Sequence, residues 1–186
     1  MRDYFFDEVF AKEAGAAEEV LESFHQTWKL PLTEEEIREI AARQKNPFPV
    51  NSPFYNQYIP IDPTRWRMPQ GKLPGAYAEF LRYSNGGEFR TGERYFQFFS
   101  TSEFREMNLA YELPEYMPLS VSFAMDGCGN HYLFDMRKAP VEGEYPILAA
   151  HSGNLGYDEC VRVADSFEAL CRGRSSLDEE LDSRYT

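Results

Sequence analysis

From Tyr95 onward the chain offers a succession of short strand-like runs with little sequence between them, and this feature constrains the fold most. Tyr95–Phe99, Leu119–Met125, His131–Met136, Tyr145–Ala150 and Cys160–Val163 are rich in aromatic and branched side chains and are bounded by Gly, Pro, Asp and Asn. Between the second and third runs stands Asp126-Gly127-Cys128-Gly129-Asn130, a hairpin loop of turn formers. Consecutive strands with short connections pair antiparallel, because a parallel neighbour needs a long crossover. Helical patterns flank the runs. After Pro31, Thr33 and Glu36 form a capping box for a helix over 34–45 that shows Ile37, Ile40 and Ala41 to the core. Leu73 and Pro74 open another helix, with Tyr77, Phe80, Leu81 and Ser84 on one face and Asn85-Gly86-Gly87 able to end it in left-handed geometry. Ser100 with Glu103 caps a short helix bearing Phe104, Met107 and Tyr111, and Asp165 with Glu168 caps a last one through Phe167, Leu170 and Cys171, stopped at Gly173. The expected fold is α+β: a single domain with a mostly antiparallel sheet covered by helices.

The remaining segments differ in kind. Residues 1–30 read as a helical extension with Phe5, Val9, Leu21, Phe24 and Trp28 at spacings of three and four, interrupted near Gly15. Residues 46–72 carry Pro47, Pro49, Pro53, Pro60, Pro63 and Pro69, which forbid a regular helix and break any central strand. The same stretch holds Phe48, Phe54, Tyr55, Tyr58 and Trp66, a density of rings unlike a disordered linker. It reads as an ordered strap whose rings pack onto the domain, with some rings left for a partner as the sharper alternative. Residues 174–186, with Asp178-Glu179-Glu180 and little to bury, read as a frayed acidic tail, so the domain is expected to span 1–173.

Charge narrows the function. The chain of 186 residues has 31 Asp+Glu against 19 Lys+Arg, a net charge of −12, which repels phosphate backbones and anionic membranes alike. Direct nucleic-acid binding and membrane association are therefore not expected. The longest apolar stretches, such as Ile147-Leu148-Ala149-Ala150, fall far short of the roughly 20 residues a bilayer requires. The first residues lack the basic flank and apolar core of a signal peptide, and the three cysteines, Cys128, Cys160 and Cys171, include no CxxC pair. A cytoplasmic location is the expectation.

The block Leu73-Pro74-Gly75-Ala76-Tyr77-Ala78-Glu79-Phe80-Leu81-Arg82-Tyr83-Ser84-Asn85-Gly86-Gly87 resembles the LP-x-x-Y-x-x-F-L-x-x-x-N-G-G signature of the SUKH superfamily. Later features follow in the family's order: Asn108 and Tyr111, Pro118, Ala124–Gly129 with Asp126 and Gly129, Tyr132–Asp135, Pro146-Ile147 and Ala164–Leu170. The similarity covers roughly 33–173. It implies an α+β fold and, in bacteria, an immunity protein that neutralises a toxin; in fungi a related domain belongs to a regulator of cell-wall synthesis. The family is not known for catalysis. Residues 46–72, longer than the usual link, and the first thirty residues depart from its pattern.

No residue pattern demands chemistry. The glycines near 127 match neither phosphate-binding motif, and a strand rather than a helix follows them. Cys128 with His131 or His151 is the available nucleophile–base pairing, yet three cysteines and three histidines place some pair together by chance. Zinc would need more ligands than Cys128 and His131. Catalytic, cofactor and metal residues are accordingly not expected, and Leu73, Pro74, Tyr77, Phe80, Leu81, Asn85, Gly86 and Gly87 have structural roles. What remains is the acidic surplus of residues 73–173, 15 acidic against 8 basic, with Glu112, Glu115, Glu142, Glu144, Asp158 and Glu159 in turns and connections. These six are the candidate partner contacts. The expected partner is a cognate toxin, a basic domain such as a nuclease, and the alternative is an intracellular scaffold or regulatory module with the same fold.

Overall fold

The computed structural model describes residues 6–182. Seven strands, β1 (Glu8–Lys12), β2 (Gly87–Thr91), β3 (Arg94–Phe98), β4 (Ser120–Met125), β5 (Asn130–Asp135), β6 (Ile147–His151) and β7 (Val161–Ala164), form one sheet among the described residues. Each pairs antiparallel with the next in sequence, so the sheet is a meander closed at neither edge. With helices α1 (Glu18–Thr27), α2 (Glu34–Arg43), α3 (Gly75–Tyr83), α4 (Glu103–Ala110), α5 (Leu113–Tyr116), α6 (Phe167–Arg172) and α7 (Leu177–Asp182), this is the expected α+β arrangement.

Alternation along the central strands divides the interior in two. Phe96, Phe98, Phe123, Tyr132, Phe134 and Ile147 face the main core, where they meet Leu21 and Phe24 of α1, Tyr77, Phe80 and Leu81 of α3, and Phe167 and Leu170 of α6. Leu133, Leu148 and Ala150 face the opposite side and are covered by Leu113 and Met117 of the α5 region with Leu155, Tyr157 and Cys160. The main core is a continuous ring network. Tyr77 alone lies 5.4–5.5 Å from Phe123, Phe134 and Phe167, and Phe80 lies 4.3 Å from Phe98. Aromatic pairs at such distances and inclined planes add about 0.5–1.5 kcal/mol each beyond area burial.

The local signals form as read at several places. Thr33 and Glu36 make both bonds of the capping box, at 3.2 and 2.7 Å. Ser100 and Glu103 make the same exchange, at 3.3 and 3.0 Å. Asp126 closes the β4–β5 hairpin by accepting from the amides of Cys128 and Asn130.

Four expectations need correction. Residues 8–12 are a strand rather than part of a helix, because β2 offers a ladder to pair with; Phe5 lies outside the described residues. β2 itself begins at Gly87, immediately after the motif turn, and a Cβ on that glycine would stand 2.3 Å from the carbonyl oxygen of Ala11. The tail is ordered through residue 182: Ser176 and Glu179 cap α7, Leu177 is buried, and Glu180 pairs with the buried Arg94 at 2.6 Å. The cap of α6 is Ser166, whose hydroxyl accepts from the Ala169 amide, while Asp165 pairs with Arg162. On α2, Ile40 is buried as expected but Ala41 is exposed, since only one edge of this helix meets the core.

Candidate protein-binding surface

The six candidate carboxylates divide by what already holds them. Glu112, in the left-handed conformation at φ 56° between α4 and α5, accepts from the side chain of Gln44 at 3.0 Å, and Gln44 in turn accepts from the Tyr58 hydroxyl. Glu115 accepts from the indole nitrogen of Trp66 at 2.6 Å. These two acids fasten the proline-rich segment to α5. Glu144 accepts from the Phe167 amide at 3.0 Å, supplying the start of α6 with a negative group, and burial pushes its carboxyl above the ordinary value. Glu142 is different. With Gly143 it forms the tip of the β5–β6 hairpin, both residues at positive φ, and Val141 and Glu144 exchange two bonds of 2.9 Å around it. Its side chain is exposed, as are those of Asp158 and Glu159 on the β6–β7 connection. The six residues thus occupy three separate connections.

The motif residues meet at one junction. Asn85 accepts from the Thr101 amide at 2.9 Å and donates to its hydroxyl, tying the end of α3 to the turn before α4. Gly86 and Gly87 have φ of 95° and 111°, and a Cβ on Gly86 would stand 2.9 Å from the Ser100 nitrogen. The buried Ser84 hydroxyl donates to the Gly86 carbonyl at 2.6 Å and accepts from the Glu13 amide at 3.0 Å. Around this junction opens a groove of about 580 Å³ lined by Glu13, Glu88, Gln97, Glu103, Met107 and Met125. Its three carboxylates come from the residue after β1, from β2 and from the start of α4. No local pattern in the sequence marks this groove, because its acids are 75 and 15 positions apart and are gathered by strand pairing.

Among the described residues the Cys128 thiol makes no hydrogen bond to His131 or His151. His131 lies fully buried between the sheet and Tyr111, with its Nδ1 2.9 Å from the Ser122 hydroxyl and burial lowering its pKa to about 4. Cys128 is exposed at the hairpin tip, where its backbone amide donates to Asp126 at 2.8 Å; His151 accepts from the Gly153 amide at 3.0 Å. Among the described residues no group of three or more His, Cys, Asp or Glu is placed to hold a metal ion, and no helix is long and apolar enough to cross a membrane.

Compared with protein families, residues 66–173 match the SMI1 / KNR4 family (SUKH-1). The chain belongs to this family. Its SUKH-1 stretch begins at Trp66, where the proline-rich segment turns inward, and ends at Gly173, where α6 stops, so it holds α3 to α6 and β2 to β7. The edge strand β1, α1, α2, residues 46–65 and α7 lie outside it. No curated protein matches the chain.

Proposed function

We propose that this SUKH-1 protein is an immunity protein: it binds a cognate bacterial toxin domain one to one in the cytoplasm and neutralises it by occupying its working surface, without turnover or cofactor. Family membership over residues 66–173 carries the reading. The groove beside the Asn85-Gly86-Gly87 junction and the exposed Glu142, Asp158 and Glu159 support it with carboxylates suited to a basic partner such as a nuclease. A surface of that sign accelerates encounter with a basic domain and competes with the phosphates such a domain would otherwise bind. The test is co-purification of the protein from its own cells, followed by challenge of a sensitive strain with the captured partner. A partner that kills when expressed alone and is harmless when this protein is supplied in equimolar amount is the expected outcome. A captured partner without toxicity would favour the scaffold or regulatory role instead.

A further inference from the structure

Residues 46–61 contain no charged side chain, and they expose apolar groups that a packed strap would hide. Val50 and Ile59 are 80% and 84% exposed, and Phe54 and Phe48 are 52% and 38% exposed with their rings 5.6 Å apart. The expected strap is therefore fully packed only in its second part, where Pro63, Trp66, Met68 and Pro69 are buried, while Tyr55 and Tyr58 in the first part are half-buried. The exposed part is nonetheless held. The Asn46 side chain donates to the Tyr55 carbonyl at 2.8 Å and accepts from the Phe48 amide at 3.0 Å, and Ser52, Tyr55 and Gln57 close successive turns through backbone bonds to Pro49, Ser52 and Phe54. Four prolines and these bonds fix the loop before anything binds, which removes much of the ordering cost of association.

The charge along this stretch of chain is opposite to that of the whole molecule. From 43 to 72 five basic side chains stand against one acidic residue, Asp62. Arg65 pairs with Asp62, and Arg67 is spent on the backbone carbonyls of Thr64 and Trp66. Arg43 and Lys45, at the entry to the loop, make no hydrogen bond or ion pair with the described residues. Glu112 and Glu115 already accept from Gln44 and Trp66, and Glu39, one helical turn before Arg43 on α2, shares a surface groove with it.

We propose that this loop is a docking surface for a protein segment whose apolar side chains are flanked by carboxylates. A second copy meeting it face to face would set Arg43 and Lys45 against themselves, and an anionic bilayer would face a body of net charge −12. The proposal stands apart from the toxin reading, because the loop precedes the family-matched stretch and has the opposite sign from the groove.

The probe is a pair of synthetic amphipathic peptides with one shared stripe of Leu and Phe and either Glu or Lys at every polar position, titrated into the intact protein by calorimetry and NMR. The Glu peptide should bind about tenfold or more tighter than the Lys peptide, with shifts confined to residues 43–67 and with affinity falling as salt rises. Phe54→Ser with Ile59→Ser, and separately Arg43→Glu with Lys45→Glu, should each weaken it about tenfold while leaving the melting temperature unchanged, since these side chains are exposed. Equal binding of the two peptides, or preference for the Lys peptide, would overturn the proposal. So would a dimer in sedimentation, or binding to phosphatidylserine vesicles, that the Phe54→Ser, Ile59→Ser variant abolishes.

Discussion

Single residues decide the junctions of this molecule. Both glycines of Asn85-Gly86-Gly87 are left-handed, and each also lies too close to backbone for a side chain, Gly86 to Ser100 and Gly87 to Ala11. Gly86→Val and Gly87→Val should each therefore cost on the order of 2 kcal/mol or more, read as a drop in melting temperature, with Gly87→Val also loosening β1 in hydrogen exchange. Gly173 shows a different need: its φ is −65°, but a Cβ would stand 2.1 Å from the Arg94 guanidinium. His131 makes a pH prediction. Its Nε2 is buried without a hydrogen-bond partner among the described residues, and burial lowers its pKa from 6.5 to about 4 against the opposing charge of Asp126. The unfolded chain then binds the proton first, so stability present above pH 6.5 is lost as the pH falls toward 4, by up to about 3 kcal/mol. His131→Asn should flatten that part of the curve of unfolding free energy against pH. Parallel curves for the two proteins would show that His131 does not carry it.

At the level of elements, the tail is the clearest case of a segment whose sequence understates it. Among its described residues Leu177 is the only large apolar side chain that is fully buried, yet α7 completes the environment of Arg94, which is buried in β3. Arg94 donates to the Ser175 carbonyl at 2.9 Å and to Glu180 at 2.6 Å, leaving only the Leu170 carbonyl, at 3.4 Å, before residue 173. A chain ending at Gly173 should lose about 3–5 kcal/mol, because a buried guanidinium is left without its carboxylate, and Arg94→Met in the shortened chain should recover part of the loss. Denaturant titration of the three proteins checks both statements. The helix caps behave oppositely. Thr33 with Glu36 and Ser100 with Glu103 were legible because a cap is a local exchange between residues three apart.

Over the whole molecule, the net charge of −12 coexists with one uncharged, basic-rimmed loop and one acidic groove, so the sign of a partner's charge selects where it lands. For a basic toxin domain, association should slow markedly with rising salt while dissociation changes less, because long-range attraction acts on encounter and close contacts act on escape. Reversal at Glu142, or at Asp158 with Glu159, should slow it more than reversal at Glu19 of α1; Glu144 is unsuitable, since it holds the start of α6. An association rate flat in ionic strength would refute the electrostatic mechanism and leave the family assignment standing. Sequence alone determined the class of fold, five of the seven strands to within about two residues, the Thr33–Glu36 and Ser100–Glu103 caps and the β4–β5 turn, since each follows from periodicity or from bonds between near neighbours. It also carried the family, through Leu73–Gly87. Only the tertiary structure decided that residues 8–12 join the sheet, that Glu13, Glu88 and Glu103 share a groove, that Glu112, Glu115 and Glu144 are engaged within the fold, and that the proline-rich segment buries Trp66 while exposing Phe54 and Ile59. Each of these depends on which distant segment offers a backbone ladder, a hydrogen-bond partner or apolar cover, and residues far apart in the chain carry no local sign of that.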